Sequence, residues 1–187
     1  MADRIRVATG DEIVNPRTGQ RMVFRRTGAD TEGQELVIEC WSPPEQKGDP
    51  REPVHVHPKQ EKTFRMIDGE LTVSMNGTTR TLKGGEEIVV RSDAAHSFWN
   101  GSHQEAHCWQ EFRPALRSAE FFSTWFSFAR DGKVNARGMP GLLQMAATAQ
   151  RFLDEIMVTT PPGWVQRVTF AVLAPIARFT GHEAERR

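Results

Sequence analysis

Four turn dipeptides lie between Val54 and Phe112, and they constrain the fold more than any other feature of the sequence. They are Asp68-Gly69, Asn76-Gly77, Gly84-Gly85 and Asn100-Gly101. Asp-Gly and Asn-Gly sequences tolerate the positive φ angles that tight hairpins require. Short apolar segments separated by such turns are typical of all-β barrels and sandwiches. The sequence therefore predicts antiparallel β-structure throughout this region.

Three further strands are predicted upstream of this region, over residues 4–8, 20–27 and 35–41. In the last of them, strand alternation places Leu36, Ile38 and Cys40 on one face, which we expect to line a core. The segment over residues 42–53 is rich in proline and charge. It cannot continue a strand, so we predict a surface loop there.

The pattern changes to helical periodicity after Arg113-Pro114. Three amphipathic helices are predicted over residues 118–132, 141–158 and 163–181, with Pro175 kinking the third and Gly181 ending it. We therefore divide the chain into a barrel with its N-terminal strands, residues 1–113, and a C-terminal helical extension, residues 114–187.

The apolar faces of these helices are larger than is needed to cover one barrel. Packing against the barrel or a second subunit is the commoner reason for such faces, and a lid over a ligand is the alternative. We expect a homodimer, because a self-complementary apolar face is the usual basis of a symmetric pair.

The composition argues against several classes of partner and location. The chain has 24 basic and 24 acidic residues and no net charge, so we expect neither nucleic acid nor a membrane as a partner. No apolar run reaches the length of about 18 residues that a membrane span needs, and the N-terminal residues lack the apolar core of a signal peptide. Cys40 and Cys108 are the only cysteines, and we expect them to be buried, reduced thiols of a cytoplasmic protein.

The histidines supply the clearest chemical signal. His55 and His57 are two residues apart in a strand-like run, so they share a face with their Cβ atoms roughly 6.5–7 Å apart. His96 comes from a later strand. Three imidazoles from two strands are a common way to hold a divalent transition metal with positions left open. The alternative is that all three are neutral, hydrogen-bonded pocket residues.

The segment over residues 48–100 resembles the two signature motifs of the cupin superfamily. The first motif has the form G-x(5)-H-x-H-x(3,4)-E-x(6)-G, and here Gly48 precedes His55 and His57, with Gly69 closing the motif. The resemblance implies a mainly β fold, namely a double-stranded β-helix or jelly-roll-like barrel, here with a C-terminal α-helical extension. It also implies one divalent metal, Fe, Mn, Ni or Zn.

The second motif has the form G-x(5)-P-x-G-x(2)-H-x(3)-N. It is matched by Gly85, His96 and Asn100, with Arg91 and Asp93 where the family has proline and glycine. The two motifs together imply that the metal is held by two histidines, a glutamate and a third histidine.

The glutamate of the first motif has two candidate positions. Counting back from the closing glycine gives Lys62, whereas counting forward from His57 with the shorter spacing gives Glu61. Alternation places Lys62 inward beside Phe64 and Met66, and Glu61 outward unless a local bulge turns it in. A lysine ammonium at this position opposes a divalent cation.

The barrel interior is the predicted ligand pocket. His107 should face outward and Gln110 inward by alternation in the last strand, where the Gln110 amide could bond either a ligand or the backbone. The predicted lining is Lys62, Phe64, Met66, Phe98, Gln110 and Phe112. We expect a small-molecule-binding protein with metal assistance. The alternatives are a metal-dependent cupin dioxygenase or isomerase and a non-catalytic dimeric interaction module, and no catalytic residue is assigned.

Overall fold

The computed structural model describes residues 5–45, 52–135, 138–182 and 184. Gly48, the first glycine of the first motif, lies outside these residues. The strands up to the helical extension are β1 (Glu12–Val14), β2 (Arg21–Arg26), β3 (Leu36–Ser42), β4 (His55–Val56), β5 (Glu61–Asp68), β6 (Glu70–Met75), β7 (Thr78–Lys83), β8 (Glu87–Val90), β9 (His96–Trp99) and β10 (Ala106–Arg113). The extension consists of α1 (Ser118–Arg130), α2 (Leu142–Phe152), β11 (Met157–Val158) and α3 (Gly163–Phe179).

The strands form two antiparallel sheets that enclose one core. The first has six strands in the order β1-β2-β3-β10-β5-β8, and the second has five in the order β11-β4-β9-β6-β7. From β3 to β6 and again from β7 to β10, consecutive strands alternate between the sheets, as in a double-stranded β-helix. The predicted fold class, a jelly-roll-like barrel followed by helices, is confirmed.

Side-chain alternation follows the sequence pattern closely. Leu36, Ile38 and Cys40 are all buried on the inner face of β3. In β5, Lys62 is buried inside the barrel, whereas Glu61 is exposed. Gly69 closes the turn after β5 with φ of 74°, and a Cβ there would lie 2.4 Å from a backbone oxygen. The turn therefore requires glycine on both conformational and steric grounds.

The predicted first strand is wrong in its described part. Residues 5–8 form no strand, and β1 begins only at Glu12. Pairing with β2 starts where the amide of Gly10 donates to the carbonyl of Phe24 and the amide of Phe24 donates to the carbonyl of Asp11. Residues 5–9 have no neighbouring strand in this sheet, so their alternation has no ladder to join.

The predicted second helix is too long. It ends at Phe152, whose carbonyl accepts hydrogen bonds from the amides of Glu155 and Ile156. Met157 and Val158 then form β11, which pairs with β4. Their side chains fit a helical stripe, but their backbone groups pair with the open edge of β4 instead of continuing the helical hydrogen bonds. The predicted boundary after residue 113 coincides with the end of β10, yet β11 returns to the barrel, and the two-domain division stays a prediction.

The helices pack against the barrel in two layers. Ala119, Phe122 and Phe126 of α1 join the barrel core. Ala146 and Leu153 of the α2 segment pack with Phe170 of α3 in a second cluster. The third helix ends two residues before Gly181, as predicted, and contains Pro175. Across the described residues, we find no helix with the length and apolar character that crossing a bilayer requires.

Candidate metal centre

The fold brings the three predicted histidines together inside the barrel. His55 lies on β4 opposite His96 on β9, and His57 follows β4. The ring centroids of His55 and His96 are 4.2 Å apart, and each lies 5.1 Å from that of His57. All three residues are buried, and one ligand atom from each lies within 4.8 Å of the others. This is the geometry of a single shared site.

Every one of the three rings is held by a backbone carbonyl through its Nδ1 atom. The partners are Pro53 for His55 at 3.0 Å, Glu155 for His57 at 2.6 Å and Ala94 for His96 at 3.0 Å. Because a carbonyl oxygen only accepts, each Nδ1 must carry the proton, which leaves the lone pair on Nε2. All three Nε2 atoms are buried without a hydrogen-bond partner. Three oriented lone pairs therefore point into the same small volume.

The imidazoles are neutral at physiological pH. Burial, followed by the charge of Lys62, lowers the pKa of His55 to about 3 and that of His96 to about 3. The same causes lower the pKa of His57 to about 2. Neutral imidazole is the form that coordinates metals, so these rings need lose no proton to bind one.

Glu61 does not reach the histidines. Lys62 pairs regularly with Phe112 of β10 and Val90 of β8, and no bulge turns Glu61 inward. The register shift between β5 and β10 comes at the far end, beside His107. Glu61 is consequently exposed on the outer face, and its prediction as a metal ligand is wrong because regular pairing preserves the alternation.

Lys62 occupies the inward position that the family motif gives to glutamate. Its Nζ atom lies 4.3 Å from the ring centroid of Phe64, 4.6 Å from that of Phe98 and 5.1 Å from that of Phe112. Three aromatic faces stabilise a buried cation through their quadrupoles. Burial nevertheless lowers the pKa of Lys62 from its usual range.

The donor set fits a divalent transition metal through nitrogen alone. Among the described residues, His55, His57 and His96 form the one group of three or more potential ligands close enough to share an ion. Imidazole nitrogens suit Zn, Fe and Ni. The carboxylate of the family set is absent from the matched position, and a lysine stands there instead.

The barrel interior is filled by its own side chains. Phe64, Met66, Phe112 and Gln110 are buried to 2% exposure or less, and neither amide atom of Gln110 has a hydrogen-bond partner. Of the six residues predicted to line a ligand pocket, only Phe98 lines the cavity beside the helical extension. Large aromatic side chains on facing strands occupy the interior that was predicted to be the ligand pocket.

A cavity instead lies between the barrel mouth and the helical extension. It measures about 260 Å³, and His55 forms part of its wall. Phe98 and Leu71 line it from the barrel, and Trp125 and Ala149 line it from α1 and α2. This cavity was not predicted from the sequence. The aromatic stripe of the first helix was nevertheless consistent with the alternative stated above, a lid over a ligand.

The remaining polar residues of interest have structural roles. His107 faces outward, as predicted, and its Nε2 lies 2.7 Å from Glu39 while its ring stacks on Trp41. His103 is exposed. The amide of Asn100, from the second motif, donates to the carbonyls of Ser42 and Gln104 at 2.7 Å each. These residues hold the outer face and a loop rather than the histidine site.

Asp93 explains a departure from the family motif. It adopts φ of 60°, a left-handed conformation that favours glycine and that aspartate also tolerates. Its backbone amide donates to the carbonyl of His57 at 3.1 Å. The aspartate therefore replaces the motif glycine without loss of the turn that anchors His57.

Comparison with known proteins agrees with this architecture. Residues 45–109 match the family model of the cupin domain. Residues 45–109 belong to the cupin superfamily. A search of curated proteins found no match to this cupin.

Among solved structures, this cupin is similar to a double-stranded β-helix protein from Klebsiella pneumoniae, with 19% identity over 60% of this chain and 85% of that one, and a TM-score of 0.43. It is also similar to a predicted oxalate decarboxylase from Thermotoga maritima, with 17% identity over 57% and 92% of the two chains, and a TM-score of 0.46. A third is the Cupin_2 domain of an XRE family regulator from Enterobacter cloacae, with 16% identity over 50% and 95%, and a TM-score of 0.42.

Proposed function

We propose that this cupin binds a small molecule at a centre in which three histidines hold one divalent transition metal. The observation that carries the proposal is the set of three buried Nε2 atoms of His55, His57 and His96, which converge without any hydrogen-bond partner. Buried polar atoms are normally paired, and leaving three acceptors unpaired costs about 1–3 kcal/mol each. A metal ion would satisfy all three at once.

The protein's own residues prepare this centre before any ion arrives. The three backbone carbonyls hold each ring in one tautomer and one orientation, which spares the ligands a reorganisation on binding. The phenylalanine rings around Lys62 exclude water from one side. When bound, Fe, Mn, Ni or Zn would supply Lewis acidity toward an oxygen-bearing ligand.

One observation favours isomerase-type proton transfer as the second candidate function. Glu52 lines the cavity beside His55, with Oε1 3.9 Å from Nδ1 of that ring. Its other oxygen, Oε2, is buried without a hydrogen-bond partner. A carboxylate placed at a cavity wall is suited to general base catalysis. This alternative requires that Glu52→Gln stop turnover of a carbonyl compound while metal affinity is retained.

The proposal is tested by metal titration of protein purified without a histidine tag. We expect calorimetry and elemental analysis to give one Zn²⁺, Mn²⁺, Ni²⁺ or Fe²⁺ per chain. His57→Ala and His96→Ala should each abolish stoichiometric binding, whereas His103→Ala, an exposed histidine outside the centre, should leave it unchanged. Protein that stays empty with every ion, or that loses metal equally in the His103 variant, would contradict the proposal.

We also propose a homodimer formed through α3. Trp164, Val168, Val172 and Ile176 recur at every fourth position and are 50–71% exposed, and Phe179 is 92% exposed. The stripe is self-complementary. Antiparallel pairing about Val172 sets Val168 opposite Ile176 and the two terminal aromatic residues near each other, which is the arrangement of a two-fold interface. A cytoplasmic location, also part of the proposal, fits the two free cysteines.

A further inference from the structure

We infer that the cavity between the barrel mouth and the helical extension takes a compact aromatic molecule that carries a hydroxyl group. The inference rests on the proposed function, because it specifies the class of small molecule that would lie beside the histidine centre. It is carried by the shape of the cavity, the chemistry of its walls and one unpaired carboxylate oxygen.

The walls that the extension contributes are apolar and aromatic. Phe121 and Trp125 of α1 line the cavity together with Met145, Ala149 and Phe152 of the extension. The rings of Phe121 and Phe152 are in contact, with centroids 5.7 Å apart. The ring centroids of Phe121 and Trp125 are 5.6 Å apart and nearly parallel, at an interplanar angle of 30°. Aromatic walls of this kind favour a flat, apolar ligand body.

The volume limits the size of this body. The cavity of about 260 Å³ lies just below the range of about 300–1,000 Å³ that is usual for ligand pockets. One or two fused rings fit such a space better than a long acyl chain does.

Glu52 determines the polar group of the ligand. Charged side chains are few in the lining, namely Arg17, Glu45 and Glu52. The Oε2 atom of Glu52 is buried, lacks a hydrogen-bond partner and belongs to the wall that also contains His55. In its ionised form Glu52 accepts a hydrogen bond from a hydroxyl donor and repels a carboxylate ligand at the same place.

The probe for this inference is 2-naphthol, compared with 2-naphthoate, which has the same body and an anionic head. Calorimetry on the full chain should show 2-naphthol binding at least about tenfold more tightly than 2-naphthoate, a difference of about 1.4 kcal/mol. Glu52→Gln should reduce that preference, because the amide can also donate to an anion. Equal affinities in the wild type, or no binding of 2-naphthol, would overturn the inference.

A cavity-filling variant locates the probe. Ala149→Phe adds a ring inside the cavity without touching any histidine, so it should abolish 2-naphthol binding and leave metal stoichiometry intact. Val168→Phe, on the exposed stripe of α3, is the matched control and should bind like the wild type. Unchanged binding in Ala149→Phe would refute the site. A protein that binds 2-naphthol in this way but no metal would refute the metal centre and leave this inference standing.

Discussion

The Nδ1 atom of His57 lies 2.6 Å from the backbone carbonyl oxygen of Glu155, a residue 98 positions further along the chain. The same segment pairs with the strand of His55 through β11, and the amide of Thr159 donates to the carbonyl of Val54 at 3.1 Å. The helical extension thereby orients one histidine directly and supports the strand of another. The hydrogen-bond partners that orient the three histidines are therefore not all in the barrel.

This contact predicts that loosening the extension weakens metal binding. The amide of Gln166 donates to the carbonyls of Val158 and Pro161 at 2.7 and 2.5 Å and fixes the segment that follows Glu155. Gln166→Leu removes these donors at similar volume, so metal affinity should fall by about tenfold or more, as for other partners of metal ligands. Calorimetric titration of the two proteins with Zn²⁺ measures the change.

The matched control is Gln144→Leu. Gln144 is also buried in the extension, but its amide donates to Thr148 within the same helix. The variant should lose some thermal stability and retain its metal affinity. Equal loss of affinity in both variants would indicate general destabilisation and contradict the specific role of the segment after Glu155.

Lys62 predicts a variant that binds metal more tightly than the natural protein. Burial and, after it, the charge of Lys62 lower the pKa of all three histidines, and this charge opposes any cation at their Nε2 atoms. Replacing Lys62 with Met removes this repulsion, and Zn²⁺ affinity should rise by at least about tenfold. Lys62→Glu should raise it further, since it restores a carboxylate at the family position.

Competition against a chromophoric chelator is the suitable measurement, with Lys59→Met as the control. Lys59 is exposed and pairs with Asp154 at 2.7 Å on the outer surface. Affinity that is unchanged or weaker in Lys62→Met would show that the lysine does not oppose the ion.

Metal binding should stabilise the fold, and chelation should reverse the effect. An ion that binds only the folded state adds about 2.7 kcal/mol at a free concentration one hundred times its dissociation constant. The melting temperature should therefore rise on addition of Zn²⁺ and return with EDTA, and His96→Ala should show neither change. A shift of the same size in His96→Ala would place the ion elsewhere on the protein.

The exposed stripe of α3 predicts a dimer that one charge disrupts. Val172 lies at the centre of the proposed interface and is 62% exposed in the isolated chain. Val172→Glu places two carboxylates against each other across the two-fold axis, where like charges and lost apolar burial both oppose association. Sedimentation velocity should show the wild type as a dimer and this variant as a monomer.

Leu142→Glu provides the comparison for this experiment. Leu142 is similarly exposed, at 61%, but lies on α2 away from the stripe. Its variant should remain dimeric. A wild-type protein that sediments as a monomer at micromolar concentration would contradict the proposed interface.

The barrel and the histidine cluster were predictable because their signals are local. Period-two alternation in β3 and β5 identified the inward residues, including Lys62, and the turn at Gly69 reflects a backbone conformation that few other residues adopt. The apolar stripe of residues 141–158 predicted a helix that is too long at its C-terminal end, because Met157 and Val158 pair with the edge of β4. Competition between a helix and a distant strand cannot be read from periodicity alone.

The sequence by itself determined the antiparallel barrel, the three helices and the face that His55 and His57 share, since alternation and turn chemistry depend on neighbours along the chain. Only the tertiary structure decided that aromatic rings fill the barrel around Lys62 and that the cavity opens toward the extension instead. It also decided that the carbonyl of Glu155 orients His57. These features depend on tertiary packing and on backbone atoms. Because every residue has the same backbone atoms, such contacts cannot be recognised from the sequence.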